Sequence, residues 1–243
     1  MRRRMMMGQN GGGGDDNPYA REYLTVTAVG RTRVRVSFTG GGSSTWSYST
    51  DNGSTWTSAN SGSYTPYLEI GESVLIKANG FLADSSGSVN ITGDALFDIS
   101  GNIMSLLYGD NFLGKTTLLS SYQFAAMFLG NSNVRDASNL VLPATTLTDY
   151  CYYSMFFYCA NLTGVPALPA ATLTEGCYSQ MFQLSSNVNR IECLATDISA
   201  TNCLRNWVSG VAASGTFVKA PTMTSWPSGA NGIPSGWTVQ DAT

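Results

Sequence analysis

One segment of this 243-residue chain fits the pattern of a phosphate-binding loop. Residues 109–116, GDNFLGKT, have the spacing G-x-x-x-x-G-K-[ST], in which backbone N–H groups cradle phosphates and the lysine reaches them. The surrounding sequence, IMSLLYGDNFLGKTTLL, can be interpreted as strand, loop and helix. No later hydrophobic strand ends in an Asp that could help to hold magnesium. Nucleotide binding through Lys115 is therefore a remote alternative.

A second segment carries a motif known from glycosidases. Residues 48–57, YSTDNGSTWT, fit S-x-D-x-G-x-T-W, the Asp-box of sialidases. That motif is a structural hairpin repeated around a propeller, and it supplies no catalytic group. Here it occurs once, and its DNG tripeptide at 51–53 is a tight-turn signal flanked by Trp46 and Trp56 on strand positions. We expect a hairpin and no glycosidase site.

Composition argues against most enzyme classes. The chain has no histidine, which removes the usual general acid–base residue and the commonest metal ligand. Charged residues make up 12% and the net charge is −3, so there is no basic field for nucleic acid. No apolar run is long enough for a transmembrane helix. The five cysteines form no CxxC pair. We expect no enzymatic activity, cofactor, metal site, nucleic-acid partner or membrane partner.

Residues 19–101 show the pattern of a small β-domain. In TRVRVSF, Val34, Val36 and Phe38 alternate with polar residues, the period-two signature of a half-buried strand. SVLIKA and SVNITG continue the pattern, with turn residues about every ten positions. The pattern favours an antiparallel sandwich of Ig-like type.

A repeat of 26 residues organises the second region. The step takes Cys151 to Cys177 and to Cys203, and a weaker copy lies 28 residues upstream, with Met127 matching Met155. A fixed period in the 20–29 range indicates a solenoid of leucine-rich type, in which several units must stack to bury their apolar faces.

Each unit is interpreted as a helix followed by an extended segment. Leu147, Cys151 and Met155 are spaced i, i+4, i+8 and would share one helical face. Thr172 and Glu175 would form a capping box at the equivalent helix. The matching cysteines are expected to form an inward ladder of small buried side chains.

The repeat units resemble a known family of surface proteins. LPATTLTDYCYYSMFFYCANLTGVPA and LPAATLTEGCYSQMF are similar to the BspA-type leucine-rich repeats of gut Bacteroidales and their phages. The ending, CLATDISATNCLRNWVSGV followed by GTFVKAPTMTSWPSGANGIPSGWTVQD, looks like the C-terminal cap of such proteins. SYSTDNGSTWT and GNIMSLLYGDNF resemble the module that precedes their repeats. The resemblance implies non-enzymatic surface recognition or adhesion, or a virion appendage.

These observations predict an α+β chain in three parts. Residues 1–18 would be a flexible glycine-rich arm, residues 19–101 the Ig-like β-sandwich, and residues 102–243 a short leucine-rich-repeat-type solenoid with a C-terminal cap. The arm shows no secretory h-region, so we expect a phage virion protein, a head or tail fibre or a decoration, made in the host cytoplasm. A bacterial cell-surface adhesin with a different start is the alternative.

The arm and the repeats supply the candidate contact residues. Arg2, Arg3 and Arg4 would dock the arm on other virion proteins, and a cyclic homo-oligomer, for example a trimer, is expected. Tyr150, Tyr153 and Phe157 do not recur in the next repeat, which carries Gly176, Ser179 and Gln183 there. Side chains that the repeat does not require suit a surface glycan or protein ligand. Packing on an adjoining domain or on the chain's own cap is the other interpretation.

Overall fold

The structure, a computed structural model, is built mainly from strands. It describes residues 22–39, 45–85 and 87–243, so the predicted arm with Arg2, Arg3 and Arg4 lies outside the described residues. The one α-helix in these ranges, α1, covers Ser105–Tyr108 and leads into a 3-10 turn at Gly109–Asn111. In the described part of the chain, no helix has the length and apolar character needed to cross a membrane. The strands are β1 Leu24–Ala28, β2 Val34–Phe38, β3 Thr45–Ser49, β4 Thr57–Asn60, β5 Ser73–Lys77, β6 Val89–Gly93, β7 Phe97–Asn102, β8 Val134–Val141, β9 Arg190–Cys193, β10 Thr216–Lys219 and β11 Thr238–Asp241.

The first region contains two sheets. One has the strand order β4-β3-β5-β1-β7-β8, and the other pairs β2 with β6. The predicted alternation in β2 is confirmed, because Val34 and Val36 are fully buried while Arg35 is exposed. The Asp-box segment is the predicted hairpin, since β3 and β4 pair antiparallel around it.

The two regions share one sheet. Strand β8 comes after the start of the repeats, yet it pairs parallel to β7 at the edge of the six-stranded sheet. All other pairs in that sheet are antiparallel. Buried side chains from both regions form a single apolar cluster, so the first coil of the repeats continues the core of the β-region.

The predicted repeat helices are absent from the described residues. The four equivalent ten-residue stretches are turns, and we call them the turn segments: 121–130, 149–158, 175–184 and 201–210. The α+β assignment is therefore wrong for this region, and the capping box does not form. Instead, Thr174 Oγ1 donates to Thr148 O of the preceding coil at 2.9 Å, and Glu175 accepts a hydrogen bond from Tyr150.

The backbone amides of each turn segment alternate between two kinds of acceptor. One amide donates to a carbonyl of its own coil, and the next donates to a carbonyl of the neighbouring coil. Tyr153 N donates to Tyr150 O three residues earlier, at 3.0 Å, whereas Tyr152 N donates to Cys177 O in the next coil, at 3.0 Å. The same two-way pattern runs through the later coils, for example from Tyr178 N to Cys203 O. Backbone groups in a packed interior need partners, and here the neighbouring coil supplies half of them.

This hydrogen bonding forces a left-handed residue at every fourth position. Twelve residues, three in each coil, have positive φ between 52° and 79°, and they align between coils. We call the aligned sets the first, second and third columns. They are Tyr122, Tyr150, Gly176 and Asn202; Ala126, Ser154, Gln180 and Asn206; and Gly130, Tyr158, Leu184 and Gly210.

The core side of the coils follows the sequence pattern. Cys151 and Cys177 are fully buried and Cys203 is 4% exposed, which confirms the predicted inward ladder. The extended segments also align in parallel, through single bridges such as Asp136 with Gly164 and through the sheet β9-β10-β11.

Candidate functional site

The candidate aromatic face lies on the second turn segment, and Tyr150 is at its centre. Its ring stacks on Tyr122 of the preceding coil, with centroids 4.8 Å apart and an interplanar angle of 3°. Its hydroxyl donates to Glu175 Oε1 of the following coil at 2.7 Å. That hydrogen bond, with a smaller contribution from desolvation, raises the pKa of Tyr150 to about 12. The phenol is thus neutral and fixed in orientation.

The ring of Tyr150 needs the glycine at position 176. A Cβ on Gly176 would lie 2.2 Å from Tyr150 Cε1, and Gly176 has φ +58° in the first column. The absence of a side chain there lets the Tyr150 ring approach the backbone of the next coil closely. Glycine at position 176 therefore has a steric cause, because the Tyr150 ring occupies the space that a side chain there would need.

The structure brings Tyr153 against Tyr150. The two rings meet edge to face, with centroids 6.2 Å apart and an angle of 74°. Tyr150, Tyr153 and Phe157 are all partly exposed. Phe157 follows Tyr153 by four residues, which is one step of the turn repeat, and its carbonyl accepts from Gly130 N of the preceding coil at 2.7 Å. The predicted i, i+4 neighbours occupy equivalent positions in the turn repeat, although no helix carries them.

Sequence reasoning missed one member of this face, Tyr122, and the hydrogen-bond partner of Tyr150, Glu175. Tyr122 was identifiable from its offset of 28 residues before Tyr150, the register of the weaker first repeat. Glu175 was assigned to a capping box, so its reach toward Tyr150 was not foreseen. We use the name aromatic face for Tyr122, Tyr150, Tyr153 and Phe157.

The segment that fits a phosphate loop has a different geometry. The segment before the loop, which was expected to be a strand, contains the helix α1. No helix follows Thr116 in the described residues, and residues 113–117 are exposed. Lys115 Nζ lies 5.4 Å from the ring centroid of Tyr108 and its amide donates to Phe112 O at 3.1 Å. In the described residues the loop therefore lacks the helix N-terminus that takes part in phosphate binding by this motif.

Asp110, inside the same motif, belongs to a structural cluster. Its carboxylate accepts from Lys77 Nζ at 2.7 Å and from the Tyr23 hydroxyl at 2.6 Å, and these bonds lower the pKa of Asp110. Lys77 Nζ also lies 3.9 Å from the ring centroid of Trp56. These contacts join β5 to the Asp-box hairpin and to the start of the repeats.

The Asp-box carboxylate is occupied by its own turn. Asp51 accepts from Thr55 Oγ1 at 2.6 Å, from Thr55 N at 2.9 Å and from Ser49 Oγ at 2.7 Å, and the Thr55 bonds contribute most to lowering the pKa of Asp51 to about 2. Asn52 and Gly53 take positive φ at the tip. The residues of the motif therefore hold a hairpin.

The cysteines are structural in character. All five are buried and unpaired, and burial raises the pKa of every thiol. Thiolate is the reactive form, so these groups are poor nucleophiles. Across residues 22–39, 45–85 and 87–243, no group of three or more Cys, Asp or Glu side chains is arranged to hold a metal ion.

Comparison with known proteins gives no relative to guide the assignment. No protein-family model matches the chain, and no similar protein was found among curated sequences or among solved structures.

Proposed function

We propose that the chain is a non-enzymatic recognition protein that binds a surface glycan on the aromatic face. The observation that carries the proposal is the set of partly exposed rings at Tyr150 and Tyr153, held rigid by Tyr122 and by the hydrogen bond to Glu175. Flat aromatic faces stack on sugar rings, and a polar tip at the phenol can bond to hydroxyl groups.

Preorganisation favours binding on this face. A ring that is already fixed loses little conformational freedom when a ligand stacks on it. The next coil carries Ser179 and Gln183 at the positions of Tyr153 and Phe157, and of these two Gln183 is partly exposed whereas Ser179 is buried. Weak, repeated contacts of this kind suit attachment to a surface that carries many copies of a glycan.

The finer architecture is part of the same proposal. We interpret the two sheets of the first region as an Ig-like sandwich, and the stacked coils with β9, β10 and β11 as a short leucine-rich-repeat-type solenoid and cap. In that architecture the first region positions the repeats, and the turn segments form one continuous flank for contact with a ligand.

We further propose that the protein acts in a phage virion, as a fibre or decoration. The resemblance of its repeats to BspA-type proteins supports this placement, and so do five buried thiols without a disulfide, which suit folding in a reducing cytoplasm. Residues 1–18, with Arg2, Arg3 and Arg4, would dock on an acidic groove of the particle. Particles assembled with a chain that lacks residues 1–18 should lose the protein, and full decoration would contradict the docking role.

The glycan proposal is tested by screening the full chain on an array of gut surface glycans, followed by calorimetry with the best ligand. Tyr153→Ala with Phe157→Ala should weaken binding at least tenfold. Tyr64→Ala, which removes an exposed tyrosine of the first region, is the matched control and should bind like the wild type. Equal affinity of all three proteins, or no glycan binding at all, would contradict the proposal.

A further inference from the structure

Tyr158 and Leu184 occupy backbone positions that favour glycine. Both belong to the third column, with φ of 55° and 61°, and the coils before and after them carry Gly130 and Gly210 there. Bulky L-residues rarely adopt this conformation. Burial does not explain their presence either, because Tyr158 is 57% exposed and Leu184 is 44% exposed. Neither the backbone nor the core requires these side chains.

The two side chains continue an apolar line along the stack. Tyr158 N donates to Gln183 O and Leu184 N donates to Ser209 O, both at 2.8 Å, so successive members of the column lie in adjacent coils. Leu129, 49% exposed, precedes Gly130 at the same corner of the first coil. We call Leu129, Tyr158 and Leu184 the apolar stripe.

The chain segments that carry the apolar stripe, and their equivalent in the last coil, contain no charged residue. Residues 129–133, 157–161, 183–187 and 209–213 contain no Asp, Glu, Lys or Arg. The first column, at the other end of each turn segment, is bordered by Asp149 and contacts Glu175. In a two-fold pairing a charged residue near the axis faces its own copy, which opposes association. On this flank the corner at the apolar stripe is free of that repulsion.

We propose that a second copy of the chain packs on this one through the apolar stripe, around a two-fold axis. Tyr158 lies in the middle coil, with Leu129 one coil before and Leu184 one coil after. An antiparallel pairing across the axis therefore brings Tyr158 against its own mate and Leu129 opposite Leu184, as an isologous interface requires. Leu129 and Leu184 offer no flat face to a sugar ring, so within the apolar stripe only Tyr158 could stack on one.

The size of the stripe sets the strength of the association. Stable dimers bury roughly 800 Å² per partner, well beyond what three half-exposed side chains provide. The dimer is therefore weak and concentration-dependent. It forms more readily where many copies of the chain are held close together, because this raises their effective concentration. The proposal does not depend on any ligand of the aromatic face.

The test is sedimentation equilibrium of the full chain from about 1 µM to about 1 mM, a range that spans weak dissociation constants. The wild type should dimerise reversibly. Tyr158→Gly with Leu184→Gly should raise the dissociation constant at least tenfold while keeping the circular dichroism spectrum, because glycine already occupies the third column in two coils. Leu82→Ala with Leu113→Ala removes exposed leucines outside the turn segments and should leave the dimer unchanged.

The proposal would be overturned by a wild type that stays monomeric over the whole range, by a glycine variant that dimerises like the wild type, or by an equal loss in the leucine control. If the glycine variant does not fold, Tyr158→Asn with Leu184→Asn replaces it, since Asn tolerates the left-handed region. Loss of glycan binding by the glycine variant without a change in mass would assign the stripe to the ligand and also overturn the proposal.

Discussion

The left-handed backbone conformation of the three columns limits which side chains the coils can carry. A residue at such a position must tolerate positive φ, and its side chain must fit over the next coil. Tyr150 and Gly176 show both conditions at once, because the ring of one fills the space that the other leaves open. The composition of the aromatic face is therefore set jointly by neighbouring coils.

Replacing glycine at two left-handed positions should separate the backbone cost from the steric cost. Gly130 has φ +67° and an added Cβ would meet nothing within 4 Å, so Gly130→Ala should lower the free energy of unfolding by about 1–2 kcal/mol. Gly176→Ala adds displacement of the Tyr150 ring and should cost about 2–4 kcal/mol. Urea unfolding measures both. Equal losses would mean that the ring does not depend on the gap at position 176.

The Asp-box hairpin should weaken in acid. The folded-state pKa of Asp51 is lowered to about 2, below the ordinary value near 3.9, so its carboxylate stabilises the fold above pH ~4. That contribution is lost as the pH falls through about 2. The stability difference between wild type and Asp51→Asn should therefore be full at pH 5 and shrink towards pH 2. An NMR titration of the Asp51 carboxyl with a midpoint near 4 would contradict this.

Among the elements, the turn segments show how a correct spacing led to a wrong structure. Leu147, Cys151, Met155 and Cys159 are all buried, at intervals of four residues. In an α-helix each step of four drifts by about 40°, so the first and last of these would differ by about 120°. The strict period of four was visible in the sequence, where it was interpreted as one face of a helix. The inter-coil hydrogen bonds that stabilise the turn repeat were not visible, because they depend on the neighbouring coil.

A single substitution distinguishes the turn repeat from a helix. Ala126 has φ 57° in the second column, so Ala126→Gly should leave stability unchanged or raise it by up to about 1 kcal/mol. In an α-helix the same change would cost about 1 kcal/mol. Thermal and urea unfolding show whether the substitution raises or lowers the free energy of unfolding. Ala125→Gly, at the adjacent buried residue outside the columns, is the control and should destabilise the protein.

Other elements were predictable because their signals are local. The alternation in β2 and the DNG turn each follow from one short stretch, the cysteine ladder follows from the 26-residue period, and each is confirmed. The pairing of β8 with β7 was not predictable, since it joins residues on either side of the expected boundary near residue 101. In the aromatic face, non-recurrence pointed to Tyr150 and Tyr153, whereas the contact with Glu175 required the coil spacing.

At the scale of the whole molecule, the turn segments of successive coils are hydrogen-bonded to one another and follow the β-region in the chain. The columns run along the stack, so side chains that are distant in sequence become neighbours at each corner. The first column presents aromatic rings beside acidic groups, and the third presents a charge-free apolar stripe. A glycan ligand at one corner and a second copy at the other would bring several aromatic faces to one surface.

Hydrogen–deuterium exchange of the full chain, with and without the best-binding glycan, tests the central claim most directly. Bound glycan should slow exchange in peptides that cover residues 149–158 and 175–184, and the effect should disappear in the Tyr153→Ala with Phe157→Ala variant. Protection confined to residues 45–77, or protection that persists in the double variant, would contradict recognition through the aromatic face.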